Sequence, residues 1–391
     1  MRSKVTPPTS FFISLSSILS SHPFGKLRDR LRPRPAQTSL GRPSYAYTYQ
    51  TTIPPTYLCP MLKMGLLGVG HLGKIHLKCI RLAREHYDLI GFYDPNPDMA
   101  RQVADEFNIK AFASPEALVA AADVVDVVTP TPIHYAMVKL ALENDCHVFV
   151  EKPLTETLEE ARELIALSQK TGKLVQVGHV ERFNPALLAL GDLTVKPYFI
   201  EAHRLAMFNP RGVDVSVVLD LMIHDLDIIL KLADDEVTSV SASGVAVVSN
   251  QPDIVNARIE FREGAVANLT ASRISLKNMR KVRLFQPDAY ISLDLLEKES
   301  QVVRLFDADA PGIPTDGQQF PLDTPKGKRI IHVDQPNSGP INAIQMELES
   351  LAISINEGRP AAVSIEDGYR ALELAHRISA AVEENRKKMP V

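Results

Sequence analysis

From residue 62 onward, apolar and polar positions follow two alternating rhythms. Short aliphatic runs at 64–69, 89–93, 124–128, 147–150 and 174–177 are separated by stretches whose apolar residues recur three and four apart. Those stretches are 72–86, 97–107, 115–121, 133–144 and 156–170. Runs of that length read as strands and the spaced stretches as helices. A further short strand is predicted near 110–112. Ser114 precedes Pro115 as a cap and first helical residue, Thr155 stands as the cap of 156–170, and Gly172 stops that helix. The unbroken apolar character around Val124-Val125-Asp126-Val127-Val128 suits a parallel strand covered on both faces. Residues 61–183 therefore read as a Rossmann-type, doubly wound parallel α/β sheet.

After residue 183 the pattern changes to approximate period two, at 236–249, 254–262, 265–273, 280–285, 289–296 and 301–306. That spacing predicts an antiparallel sheet. One largely apolar helix (215–232) precedes it, a long excursion loop is expected over 307–340, and two amphipathic helices (341–356 and 365–387) close the chain. Residues 184–391 thus read as an α+β domain. Residues 1–60 differ in kind. They hold nine prolines, eight Lys or Arg and one acidic residue, with no amphipathic period, and are expected to be disordered. The domain's first strand begins directly after Met61, so Met61 or Met64 is the favoured start. A targeting segment is the other reading of so basic and Ser-rich a stretch.

The net charge of −4 leaves −11 on the remainder once the basic extension is set apart, which argues against nucleic acid as a partner. No run reaches the roughly 18 apolar residues of a spanning helix, so no membrane partner is expected. Cys59, Cys79 and Cys146 show neither disulfide nor zinc spacing, and a reducing, cytoplasmic setting is the default.

Chemistry enters at the turn Gly68-Val69-Gly70-His71-Leu72-Gly73 after the first strand. Gly68 lets the chain turn, Gly70 lets backbone approach a pyrophosphate, and Gly73 lets the next helix sit close. Asp94 closes the second strand, where a carboxylate can accept hydrogen bonds from a ribose. No basic residue follows until Arg101, so the expected cofactor is NAD rather than NADP.

Three more clusters fall at strand ends. Thr129-Pro130-Thr131-Pro132-Ile133-His134 would pass the nicotinamide half, with His134 either near its ribose or merely at a helix start. In Glu151-Lys152-Pro153 the proline stiffens the corner, so Lys152 is aimed; a solvated Lys paired with Glu151 is the plainer alternative. On the apolar helix, Asp220, His224 and Asp227 share one face at i, i+4 and i+7, a stripe expected to line a cleft. His224 suits a general base, Lys152 an oxyanion stabiliser, and Asp220 a group that holds substrate and tunes the histidine. A metal reading of the Asp/His pair lacks further ligands, so none is expected.

The glycine turn, Glu151-Lys152-Pro153 and Asp220-x-x-x-His224, in this order, resemble the glucose–fructose oxidoreductase/inositol dehydrogenase (Gfo/Idh/MocA) family from about residue 62 to the last helix. The resemblance implies catalytic roles for Lys152, Asp220 and His224. It also implies an open antiparallel sheet that often forms an oligomer interface, hence a homodimer or homotetramer. Gly178-His179-Val180-Glu181-Arg182-Phe183-Asn184-Pro185 looks most like members acting on nucleotide sugars, such as UDP-N-acetylglucosamine 3-dehydrogenases. Arg182, Asn184 and Arg204 are then candidates for substrate binding, with Asn209-Pro210-Arg211-Gly212 as a further cationic segment. Inositol, a free hexose or another cyclic polyol is the alternative substrate, and a non-catalytic NAD-binding regulator the alternative role.

Overall fold

Aliphatic strands that can be buried on both faces build the first sheet. In the computed structural model, which describes residues 61–209 and 215–388, β1 (Leu62–Leu67), β2 (Tyr87–Tyr93), β3 (Val124–Val127), β4 (His147–Glu151) and β5 (Val175–Gly178) pair in the order β2-β1-β3-β4-β5. All four pairings are parallel. The strand expected near 110–112 is reduced to a single bridge, Phe92 to Ala111, so this sheet has five strands.

Helices α1 (His71–Leu82), α2 (Pro97–Phe107), α3 (Pro115–Val119), α4 (Thr131–Glu143) and α5 (Leu158–Thr171) link the strands. α5 starts later than the sequence reading had it. Thr157, not Thr155, is the cap, in a reciprocal capping box with Glu160. One face of the sheet carries Leu67, Val125, Val127, Val148 and Val150 against α4 and α5; the other carries Met64, Leu66 and Phe149 against α1 and α2.

A 3₁₀ turn (Val180–Phe183) and the short α6 (Pro185–Leu188) lead to β6 (Phe199–Leu205), a strand absent from the sequence reading. Its inward positions are Ile200, Ala202 and Arg204. The buried arginine hides the period-two signal. β6 lies inside a nine-stranded sheet with β7 (Val237–Val245), β8 (Ile254–Phe261), β9 (Val266–Ser272), β10 (Met279–Gln286), β11 (Ala289–Asp294), β12 (Glu299–Asp307), β13 (Gln318–Thr324) and β14 (Gly327–Asp334). The order is β13-β14-β12-β11-β10-β6-β9-β8-β7. The pairing of β6 with β9 is parallel and the rest are antiparallel.

The β13–β14 hairpin replaces most of the loop expected over 307–340. β13 is an edge strand, where Pro321 removes no needed donor, and its residues are largely exposed, so it carries no apolar alternation.

The apolar helix is in two parts, a π-turn (Val218–Met222) followed by α7 (Ile223–Ala233). Buried side chains of α7 and α9 (Ile365–Arg386) pack on the inner face of the large sheet. The opposite face bears Phe199, Phe285 and Tyr290, with successive ring centroids 5.6 and 5.0 Å apart. The chain's end also returns to the first sheet. α8 (Ala343–Glu357) places Leu348, Leu351 and Ala352 among Met64, Leu66 and Leu77, and Gly368 of α9 meets Val177 so closely that a Cβ would lie 2.6 Å from it. The expectation of disorder for residues 1–60 and the segment Pro210-Arg211-Gly212 lie outside the described residues.

Candidate active site

The glycine turn has the shape a dinucleotide needs. Gly68 has φ +92°, and a Cβ there would lie 2.8 Å from the Val128 carbonyl oxygen. A Cβ on Gly73 would come within 2.0 Å of the Gly68 carbonyl oxygen, so only glycine brings α1 this close. Gly70 faces open space and caps α1 without a side-chain hydrogen bond. The first N–H groups of α1, beside exposed His71 and Leu72, therefore have no capping side chain and point where a pyrophosphate would lie. Asp94 is fixed by the backbone N–H groups of Val69, 3.0 Å, and Asn96, 2.9 Å. Arg101, the first basic residue after Asp94, pairs with Asp98 on the exposed surface of α2.

Beyond β3, the Thr129 hydroxyl is buried with no hydrogen-bond partner among the described residues. Pro130 precedes α4 as its cap residue. His134, read from sequence as either near the nicotinamide ribose or merely at a helix start, stands at the start of α4 but is not on the surface. It is buried, with Nδ1 2.9 Å from the Pro153 carbonyl and Nε2 2.8 Å from the Thr129 carbonyl. Burial lowers its pKa, and the ring braces two loops together.

The lysine and the helix do converge. Lys152 Nζ donates to the Asp220 carbonyl at 2.8 Å and lies 3.9 Å from Asp220 Oδ1. Asp220 lies within the π-turn, a distortion that recurs at functional sites. Asp220 is 45% exposed and so opens onto solvent, while His224 Nδ1 is buried with no hydrogen-bond partner among the described residues. Burial pulls the His224 pKa well below its ordinary 6.5, and Lys152, Arg204, His179 and Arg280 push it further down. Both effects favour the neutral imidazole, the form from which a general base must start. Burial likewise lowers Lys152, against the opposing pull of Asp220 and Glu151.

Asp227, read as part of the same stripe, is instead buried behind it. Arg182 holds it with two hydrogen bonds of 2.7 Å. Arg204 is equally committed. It donates to Asp225 at 2.8–3.2 Å and to Glu181 at 2.9 Å, and only 4% of its side chain is exposed. Asn184 donates to Glu181 and to the Leu295 carbonyl. The structure therefore uses these three substrate-binding candidates to build the wall of the site. Arg280, 3.6 Å from Glu181, is an exposed cation on that wall. A cavity of about 750 Å³ adjoins it, lined by Glu181, Asn184, Arg280, Leu295, Lys298 and Asn342 among others, while Lys152, Asp220 and His224 are not part of its lining.

Sequence reasoning passed over His179. Its ring is 1% exposed, and neither nitrogen has a hydrogen-bond partner among the described residues. It follows β5 directly and acts electrostatically on His224. Its place right after a Rossmann strand was the available signal.

Known proteins are similar to this chain in sequence and fold. The family model described as "Oxidoreductase family, NAD-binding Rossmann fold" matches residues 62–179, and the "GFO/IDH/MocA C-terminal domain" matches 196–287. UDP-N-acetylglucosamine 3-dehydrogenase of Acidithiobacillus ferrooxidans is 36% identical over 323 residues, 82% of this chain and 97% of that protein. Its solved structure superposes with a TM-score of 0.74, covering 83% of this chain and 98% of the other at 33% identity. The NAD(+)-dependent scyllo-inositol 2-dehydrogenase of Bacillus subtilis is 32% identical over 235 residues, 55% of this chain and 68% of the relative. The chain belongs to the Gfo/Idh/MocA family of NAD-binding oxidoreductases, and it is a dehydrogenase with NAD as its cofactor.

Proposed function

We propose that this enzyme oxidises the C3 hydroxyl of a UDP-N-acetylhexosamine, with UDP-N-acetylglucosamine as the substrate. The observation that carries the reading is the meeting of Lys152 with the Asp220 turn beside a neutral His224, in a chain similar along 97% of a UDP-N-acetylglucosamine 3-dehydrogenase. Bound NAD supplies the hydride acceptor. His224 takes the hydroxyl proton, and the Lys152 ammonium stabilises negative charge growing on the oxygen. Asp220 anchors the ammonium through its carbonyl and leaves its carboxylate to the sugar. His179, buried and unpartnered, is placed to hydrogen-bond a sugar hydroxyl or the cofactor amide.

The cavity's Arg280 and Lys298 favour a diphosphate-bearing substrate over an uncharged polyol. Inositol is the second reading, on the Bacillus subtilis relative. NADH formation with UDP-N-acetylglucosamine, compared with scyllo- and myo-inositol, tests it. Turnover of inositol with none of the nucleotide sugar would replace the first reading by the second.

The two sheets serve as a cofactor lobe (61–183) and a substrate lobe (184–391), with α8 and α9 tying the second to the first. The aromatic outer face of the large sheet is the surface on which we place a homodimer or homotetramer contact. The buried free Cys79 and Cys146 fit a reducing cytoplasm.

A further inference from the structure

Beneath Lys152 lies a buried group of ionisable side chains that the reaction does not use directly. His76, the sixth residue of α1 and three after Gly73, is fully buried. Its Nδ1 is 2.9 Å from Asp126 Oδ2 on β3, and its Nε2 is 3.2 Å from Glu151 Oε1 at the end of β4. Glu347 of α8 faces the same group, fully buried with neither carboxyl oxygen hydrogen-bonded among the described residues. Cys79, one turn along α1, and Tyr87 of β2 also border the group, and His134 and His179 face Glu151 from the neighbouring loops. The Nδ1 contact is a hydrogen bond, whereas the Nε2 contact is an ion-pair approach without hydrogen-bond geometry, so a protonated ring is held to Asp126 by a hydrogen bond and to Glu151 by charge. Three acids around one base in a dry interior also require protons to be retained, as the raised His76 and Glu347 pKa values indicate.

Glu151 has little freedom. Its Oε2 accepts from the Lys152 N–H at 3.2 Å, and its Oε1 lies where a Cβ on Gly178 would be 3.0 Å away. Its carboxylate is therefore wedged between His76 and the corner that carries Lys152.

We propose that His76 is a positioning residue for the reaction: clamped between Asp126 and Glu151, it keeps Glu151 an ionised, fixed counter-charge under the Lys152–Pro153 corner, and so sets the place of the Lys152 ammonium. The inference rests on the catalytic role of Lys152 proposed above. Without an imidazolium beside it, a buried Glu151 takes up a proton. Lys152 then loses a stabilising negative neighbour and gives up its own proton at lower pH.

The test is a double-mutant cycle of His76→Gln and Glu151→Gln in the NAD-loaded enzyme, with Lys152→Ala alongside. His76→Gln is expected to lower kcat by about 10- to 100-fold, the scale of a 1 Å misplacement, and to move the alkaline limb of the pH–rate profile downward. The KM for NAD should change little. Glu151→Gln should do the same, and adding His76→Gln to it should cost almost nothing more, because His76 acts through Glu151. Additive losses in the double variant, or a Glu151→Gln enzyme with an unaltered kcat and alkaline limb, would overturn the proposal. The second result holds even where His76→Gln does not fold. Activity retained by Lys152→Ala would instead sink the catalytic reading itself, which separates the two failures.

Discussion

Replacing Lys152 by Met keeps the length and apolar stem of the side chain but removes the ammonium. That group sits 2.8 Å from the Asp220 carbonyl and 3.9 Å from its carboxylate, with 19% of its side chain exposed. A unit charge pair at about 4 Å and an effective dielectric of about 20 interacts by roughly 4 kcal/mol. The charge on a substrate oxygen is only partly developed in the transition state, and Asp220 is partly solvated, so about 3 kcal/mol is the part lost. This corresponds to a fall in kcat of about 10²- to 10³-fold, in line with losing one oxyanion donor. The glycine turn and Asp94 are on other elements, so the affinity for NAD should hold. Initial rates of NADH formation with UDP-N-acetylglucosamine, together with NADH fluorescence titration, read both quantities. A kcat close to that of the unaltered enzyme, with NAD still bound, would refute the assignment of Lys152.

Other expectations follow from buried charge. The profile of kcat/KM against pH should stay level below pH 6.5, because His224 must be neutral to act and its pKa is lowered. Its alkaline limb should come below pH 10.5, because the Lys152 pKa is lowered too. An acid limb above 6.5 would contradict the assignment. Arg204→Ala leaves Asp225 buried without its cation and Glu181 with only Arg280, 3.6 Å away, and should cost about 3–5 kcal/mol of stability in denaturant unfolding. Removing the half-exposed Arg258 from its pair with Glu260 should cost under about 1 kcal/mol. The folded-state pKa of Glu347 is raised above its ordinary 4.5, so its contribution is complete below that value and is lost as pH climbs through the folded one. Glu347→Gln cannot ionise. Its melting temperature should exceed that of the unaltered protein by a margin that widens with rising pH, and parallel curves would show Glu347 ionised throughout.

The parts of the site that were legible in the sequence are those whose geometry is local. Gly68, Gly73 and Asp94 act within one strand-turn-helix unit, and Lys152 is aimed by its own neighbours. Asp220 and His224 are one turn apart, so their association survives the π-turn that breaks the regular helix. What sequence could not show depends on long-range pairing. Arg204 meets Asp225 only because β6 runs under α7, and an inward arginine erased the very alternation that would have revealed β6. Asp227 looked like a cleft residue because its partner, Arg182, lies 45 positions away. Glu347 reaches the His76 group from the far end of the chain, on a helix whose apolar face gave no hint of the first sheet. The alternatives for His134 could not be narrowed from sequence for a related reason: both of its neighbours are backbone carbonyls, which carry no residue signature.

The most direct measurement is a structure of the enzyme with NADH and UDP-N-acetylglucosamine bound. The account predicts the sugar's 3-hydroxyl within hydrogen-bonding reach of both the Lys152 ammonium and the His224 ring, with C3 facing C4 of the nicotinamide. A sugar whose 3-hydroxyl meets neither side chain, or a nicotinamide directed away from the Asp220 turn, would contradict it.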